Sequence, residues 1–234
     1  MHHESEPDVL NGPADAPAHA SKQGVNMQET ERPTTRGRPP KITPERIVNA
    51  GIEMGLPNIT FVGVAAALGV SHMALYKHVP SLEALKQMVA EAIFSRWQIP
   101  PVASESPSDL MGYLIDFSAS AQALVKCNPG LTPYVIRRLA ATQPMLDKID
   151  EHQSQLARRY GIVKDHARWL LATVAFHCIA VADTVYSVAG QEVTGEADRA
   201  TEVAEMEAEF AEGMRALITG ALAMMEQRDL QARG

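Results

Sequence analysis

The clearest chemical signal in the sequence is a short predicted helix with an unusual set of outward side chains. These are His72, Met73, Tyr76, Lys77 and His78. A helix face that only meets water usually has glutamate, lysine, glutamine and arginine. This one has hydrogen-bonding rings, one lysine and no acid, and that combination favours an anionic partner.

Acid–base catalysis has one candidate pair, His177 and Asp183. At about 100° per residue, their spacing puts the two side chains about 120° apart around a helix, so they cannot easily act together. The sequence has no glycine-rich phosphate loop, no nucleophile elbow, no HExxH motif and no paired cysteines. Cys127 and Cys178 are interpreted as small hydrophobic side chains. We therefore predict a protein that is not an enzyme and has no cofactor or metal site.

Residues 58–80 predict two short helices joined by a tight turn, and the second of these helices carries the outward side chains named above. Thr60 is a candidate cap for the first helix, and Ser71 caps a second from His72 to Val79. Gly69 lies between them, where the chain needs a left-handed backbone. This pattern predicts a helix-turn-helix whose second helix faces the DNA major groove. An ordinary helical hairpin has similar caps, and the outward side chains favour the DNA-binding interpretation.

The stretch GLPNITFVGVAAALGVSHMALYKHVPSLEAL resembles the DNA-binding domain of the tetracycline-repressor (TetR) family of bacterial transcription regulators. The resemblance covers residues 43–93, and the matching positions are Thr60, Ala65, Leu68 to Ser71, Leu75, Tyr76, His78 and Ser81 to Leu85. It implies that Tyr76 and Lys77 touch phosphates, and that His72, Met73 and Lys77 lie closest to base edges. Val62 and Leu82 depart from the family, where arginine and lysine respectively are usual.

Residues 1–41 predict a disordered tail that ends in a basic arm. The last six of these residues, RGRPPK, are basic and are extended by their prolines. Such a strip suits a narrow minor groove, and it resembles the core of an AT-hook. A solvated linker is the alternative, but the basic strip lies directly before the predicted DNA-binding helices, and this position favours the arm. The full predicted DNA-binding set is Arg36, Arg38, Lys41, Thr60, Ser71, His72, Met73, Tyr76, Lys77 and His78.

Charge is distributed unevenly along this chain of 234 residues, whose net charge is −7. Residues 1–31 have a net charge of −5, residues 32–99 of +4, and residues 100–234 of −6. The positive segment therefore contains the predicted helix-turn-helix, where attraction to phosphate is needed. The polar, acidic start and the lack of a long apolar run predict a cytoplasmic protein with no membrane partner.

The proline- and serine-rich stretch from Ile99 to Ser108 is the predicted domain boundary. It separates a DNA-binding domain and connecting helix, residues 42–98, from a larger helical domain, residues 108–228. No segment alternates with the period of a strand, so the predicted fold class is all-α. The last two helices, His166–Ala189 and about Ala200–Gln227, have more apolar surface than one chain can cover. We expect them to pair with their copies in a four-helix bundle, the usual dimer interface in the family.

The larger domain has rings that could surround a small molecule, and the resemblance implies an effector cavity there. The predicted ligand-binding residues are Tyr113, Phe117, Tyr134, Trp169, Phe176 and His177. Plain core packing is the alternative for each. The sequence as a whole predicts a homodimeric repressor, released from a palindromic operator in double-stranded DNA by a small-molecule effector. The alternative is a helical ligand-binding or protein-interaction module without specific operator recognition.

Overall fold

The computed structural model describes residues 42–102, 109–137, 140–189 and 196–233. Over these ranges every α-helix belongs to one compact unit, Pro40–Gly234, and no strand is present. The all-α prediction is therefore confirmed. The helices are α1 Pro44–Met54, α2 Phe61–Leu68, α3 His72–Tyr76, α4 Leu82–Arg96, α5 Leu110–Cys127, α6 Thr132–Ile136, α7 Gln143–Tyr160, α8 Lys164–Ala189 and α9 Glu196–Arg233, with a 3-10 turn at Leu56–Asn58.

The first four helices begin at hydroxyl caps, and those of α2 and α3 are the residues that the sequence predicts. The Oγ1 of Thr60 accepts a hydrogen bond from Gly63 N at 3.0 Å, and the Oγ of Ser71 accepts one from Ala74 N at 3.2 Å. Thr43 and Ser81 cap α1 and α4 in the same way. Gly69 ends α2 with φ 65°, in the left-handed region. These local bonds fix where α2 stops and α3 starts.

Helix α3, the predicted recognition helix, is shorter than the sequence predicts: it ends at Tyr76 rather than at Val79. The N–H groups of His78 and Val79 both bond to the carbonyl of Leu75, at 2.9 and 3.1 Å. This shared acceptor tightens the last turn, and Pro80 has no N–H with which to continue the helix. Lys77 and His78 therefore lie on a turn that follows α3.

A first hydrophobic cluster joins α1, α2, α3 and α4, and it also includes Leu124 of α5 and Leu131. Leu75 of α3 and Leu85 and Val89 of α4 are fully buried in it. Helices α1 and α4 approach closely at Gly51, where an added Cβ would lie 2.4 Å from Val89 Cγ2. Helices α2 and α3, which the sequence predicts to face DNA, thus share one buried core with the connecting helix α4.

A second hydrophobic cluster surrounds α8, which packs against α5, α6, α7 and α9. Residues Lys164–Tyr186, with a mean hydropathy of 1.5, are long and apolar enough to cross a membrane by length and composition alone. Contacts with four helices give this apolar character a structural reason, and one long apolar helix is weak support for a span. Cys178 is buried there as predicted, whereas Cys127 is exposed at the end of α5, contrary to expectation.

The two clusters are connected by Trp97, which lies just before the predicted domain boundary, and by Val135 of α6. Trp97 follows α4 and packs against both clusters, and its Nε1 donates to Ser120 Oγ at 2.9 Å. Residues 103–108 lie outside the described part of the chain, so the division there stays a prediction. Helix α9 is longer at both ends than the sequence predicted, running from Glu196 to Arg233.

Candidate nucleic-acid interface and effector domain

The predicted recognition residues share one exposed surface. Leu75 is the buried residue that anchors α3, while His72, Met73, Tyr76, Lys77 and His78 are all exposed. Met73 is 63% exposed and Tyr76 47%. The structure thus brings together the five side chains that the sequence singled out, on α3 and the turn after it.

Tyr76 is held in place by a ring contact. Its ring stacks on that of Phe61, the first residue of α2, with centroids 4.1 Å apart and an angle of 11° between the planes. Phe61 is 8% exposed, so a buried ring supports an exposed one. This stack restricts the positions of the phenol and links the orientation of α3 to the start of α2.

Thr60 and Ser71 are exposed hydroxyl residues that already have a structural role as caps. A hydroxyl that accepts a backbone N–H can still donate its own proton. Each could therefore donate to a phosphate oxygen without giving up its cap. Their DNA contacts stay a prediction.

The electrostatics of this surface depend on few charges. Residues 54–82 contain no aspartate or glutamate, and Lys77 is their one lysine or arginine. Val62 is 68% exposed and Leu82 40%, so the two departures from the family leave apolar side chains on the surface. Arg36, Arg38 and Lys41 lie outside the described residues, and the basic arm stays a prediction.

Helices α5 and α7 share a buried polar pair, Tyr113 and His152, of which only Tyr113 belongs to the predicted ligand set. Tyr113 is 3% exposed and His152 is 8% exposed. The Tyr113 hydroxyl lies 2.5 Å from His152 Nε2, and it donates to Pro100 O at 3.2 Å. Since a phenol has one proton, this arrangement favours the His152 tautomer that donates from Nε2 to the phenol oxygen.

Burial keeps both members of this pair neutral. Desolvation raises the pKa of Tyr113 far above its usual value, with the nearby Tyr160 and Asp116 adding to the effect. Desolvation also lowers the pKa of His152, and the positive charge of Lys148 lowers it further. The pair is a neutral hydrogen-bonded contact between α5 and α7.

Phe117 belongs to the same cluster, because its ring lies 6.0 Å from that of His152 at an angle of 19°. Trp97 also approaches Phe117, with centroids 6.0 Å apart. His152 falls on the inner stripe of α7 with Met145 and Leu156. A histidine at a core-facing position was the signal that could have placed it in the predicted ligand set.

The other four predicted ligand residues lie elsewhere. Tyr134 is half-buried on α6 and packs against the first cluster. The guanidinium carbon of Arg228 lies over the ring of Trp169, 4.4 Å from the ring centroid. Phe176, 54% exposed, and His177 are surface residues of α8 with rings 5.6 Å apart. The six side chains therefore do not line one cavity, and their binding role stays a prediction.

An open apolar groove of about 410 Å³ lies between α8 and α9. Its lining is His177, Val181, Val185, Met206, Glu209, Phe210, Gly213, Met214 and Leu217. A second hollow, about 300 Å³ in volume, is lined by Val102, Gln155, Arg158 and Arg159. In the described ranges, no group of three or more His, Cys, Asp or Glu residues is arranged to hold a metal ion.

Comparison with known proteins identifies the fold. No protein-family model matches the chain. The HTH-type transcriptional repressor DrrR1 of Streptomyces coeruleorubidus is 35% identical over 88 residues, 36% of this chain and 30% of that protein. The chain thus matches somewhat less than a third of the length of this curated relative.

Two solved structures cover most of the chain. A single-residue variant of TetR from Acinetobacter baumannii AYE, in complex with minocycline, has a TM-score of 0.60 at 21% identity and covers 79% of this chain and 98% of its own. The Streptomyces coelicolor TetR family protein ActR, in complex with actinorhodin, has a TM-score of 0.58 at 17% identity, again covering 79% and 98%. The chain has the fold of these TetR family structures, which confirms at the level of the fold the resemblance found in the sequence.

Proposed function

We propose that this chain, which has the TetR-family fold, is a DNA-binding transcriptional repressor that a small-molecule effector releases from its operator. The observation that supports this most directly is the surface of α3 and the turn after it. It has exposed hydrogen-bonding rings and a lysine, has no acidic residue, and is presented by two capped helices. The similarity to an HTH-type repressor supports the same function.

A homodimer would give this surface its specificity. The groove between α8 and α9 is apolar and open, and Val181 on its wall is 43% exposed. A two-fold copy of the same helices would cover it in a four-helix bundle. Two recognition helices would then contact half-sites one or more helical turns apart, about 34–36 Å per turn, on a pseudo-palindrome.

The effector we propose is a small, largely apolar molecule. Structures of the same fold have been solved with minocycline and with actinorhodin. The ring cluster of Tyr113, Phe117 and His152 and the apolar groove beside His177 are the places where this chain offers apolar walls with a few polar groups. We place the protein in the cytoplasm, where its operator would be.

The decisive experiment is selection of binding sites from a random duplex library, followed by mobility shift with the selected DNA. We expect a pseudo-palindromic site and weaker binding by Lys77→Ala, because a phosphate contact is lost. Lys164→Ala is the matched control: it removes the same charge from an exposed lysine of α8 that pairs with Asp150 at 2.8 Å. If no sequence is enriched, the function fails and the alternative, an interaction module without operator recognition, is favoured.

A further inference from the structure

The C-terminal end of the connecting helix α4 is held by a lysine of α7, in a contact that lies outside the proposed DNA-binding surface. The last carbonyls of a helix have no partner within the helix. Here the Nζ of Lys148, on α7, donates to the carbonyls of Phe94 at 3.0 Å, Ser95 at 2.9 Å and Trp97 at 2.6 Å. One side chain from 51 to 54 residues away thus takes up three carbonyl groups at the end of α4.

The contact suits a cation. An ammonium group has three N–H donors and no acceptor, so Lys148 uses its full capacity on these carbonyls. The negative end of the helix dipole also lies there. Lys148 is half-buried, and desolvation lowers its pKa. Its ammonium group therefore makes hydrogen bonds to the carbonyls in place of water, and a neutral side chain of similar length could not make the same three bonds.

The same residue lies next to the polar ring cluster. His152 is one helical turn further along α7, and it contacts Tyr113 and Phe117 of α5. Elsewhere on α4, Gln87 Nε2 donates to Ala140 O at 3.2 Å. A shift of α7 relative to α5 would thus move the three donors of Lys148 relative to the end of α4, the helix whose buried residues Leu85 and Val89 belong to the first hydrophobic cluster.

We propose that Lys148 is a positioning residue for DNA binding: by holding the C-terminal end of α4 against α7, it sets the angle at which the recognition surface is presented. This rests on the proposed function. In a dimer the angle of α4 determines the separation of the two recognition helices, so loss of the contact changes which half-site spacing binds best. A residue that only stabilised the fold would weaken binding to all spacings equally.

The test uses duplexes selected by the full-length wild-type chain, remade with the spacer between half-sites shortened or lengthened by one or two base pairs. Lys148→Met keeps the length of the side chain and removes the charge. We expect it to lose affinity for the selected spacing by about 5- to 150-fold, the range of ordinary coupling between sites. We also expect its preference among spacings to flatten or shift. Lys164→Met is the matched control and should keep the wild-type profile.

Each outcome has a definite meaning. Wild-type affinity in Lys148→Met, or an unchanged spacing profile with a lowered free energy of unfolding, overturns the inference and leaves the proposed function standing. A wild-type chain that selects no DNA overturns both. If Lys148→Met does not fold, Lys148→Gln decides by the same profile, because its shorter neutral side chain cannot make the three bonds.

Discussion

The close approach of α1 and α4 gives a prediction whose size can be worked out from the structure. A Cβ added at Gly51 would lie 2.4 Å from Val89 Cγ2 and 3.5 Å from Ile59 Cδ1. Val89 is fully buried, so its methyl group has no open space to move into. Overpacking of this kind costs about 1–3 kcal/mol, and the better helix propensity of alanine returns up to about 1 kcal/mol. We expect Gly51→Ala to lower the free energy of unfolding by about 1 kcal/mol, the difference between these two effects.

The cause can be isolated with a second substitution. Val89→Ala alone removes buried methyl groups and should cost about 2 kcal/mol. In the double variant the new methyl at residue 51 enters the space that Val89 has left, so the loss should be smaller than the sum by about 2 kcal/mol.

The measurement is equilibrium denaturation at one fixed protein concentration, because dimerisation makes stability depend on concentration. Gly220→Ala is the matched control, since an added Cβ in α9 meets nothing within 4 Å, and alanine there should stabilise by up to about 1 kcal/mol. Additive losses in the double variant, or a Gly51→Ala protein as stable as the wild type, would refute the reasoning.

Four further outcomes are expected. Tyr76→Ala and Lys77→Ala should each weaken binding to all DNA sequences, and the second should lower the salt dependence by roughly one counterion in a titration against salt. Leu217→Glu should turn the dimer into monomer by sedimentation, since an unpaired charge in the groove is costly to bury. The free energy of unfolding should fall as the pH drops below about 6.5, because His152 is then protonated in the unfolded chain while its lowered pKa opposes protonation in the folded chain. His152→Gln should therefore lose less stability between pH 7 and pH 5. Removing residues 1–41 should leave the unfolding transition unchanged and reduce DNA affinity, and equal affinity would make the arm a linker.

The helix-turn-helix could be predicted from the sequence because its determinants are local. The Thr60 and Ser71 caps act on backbone groups three residues away, and Gly69 is needed for its own φ. The outward positions of α3 follow from the spacing around Leu75. The shared acceptor that ends α3 at Tyr76 depends on detailed hydrogen bonding, and the sequence pattern did not indicate it.

The second group of helices was harder to predict because its contacts are between distant segments. Periodicity shows that α8 has two apolar faces, but it does not show which face the chain itself covers. Leu170 and Val174 are buried, whereas Val181 and Phe176 are left exposed. Lys148 resembles any solvated lysine in the sequence; its role depends on where α4, some fifty residues earlier, happens to end.

The position of Trp97 between the two hydrophobic clusters makes it an intrinsic optical probe. The chain has two tryptophans, and Trp169 is distinguished by the guanidinium of Arg228 over its ring. The indole of Trp97 packs on Phe94 and Phe117 and donates to Ser120, so a change in the angle of α4 would alter its surroundings directly. A Trp169→Phe protein would therefore report the movement of the connecting helix through its own fluorescence, without an attached dye.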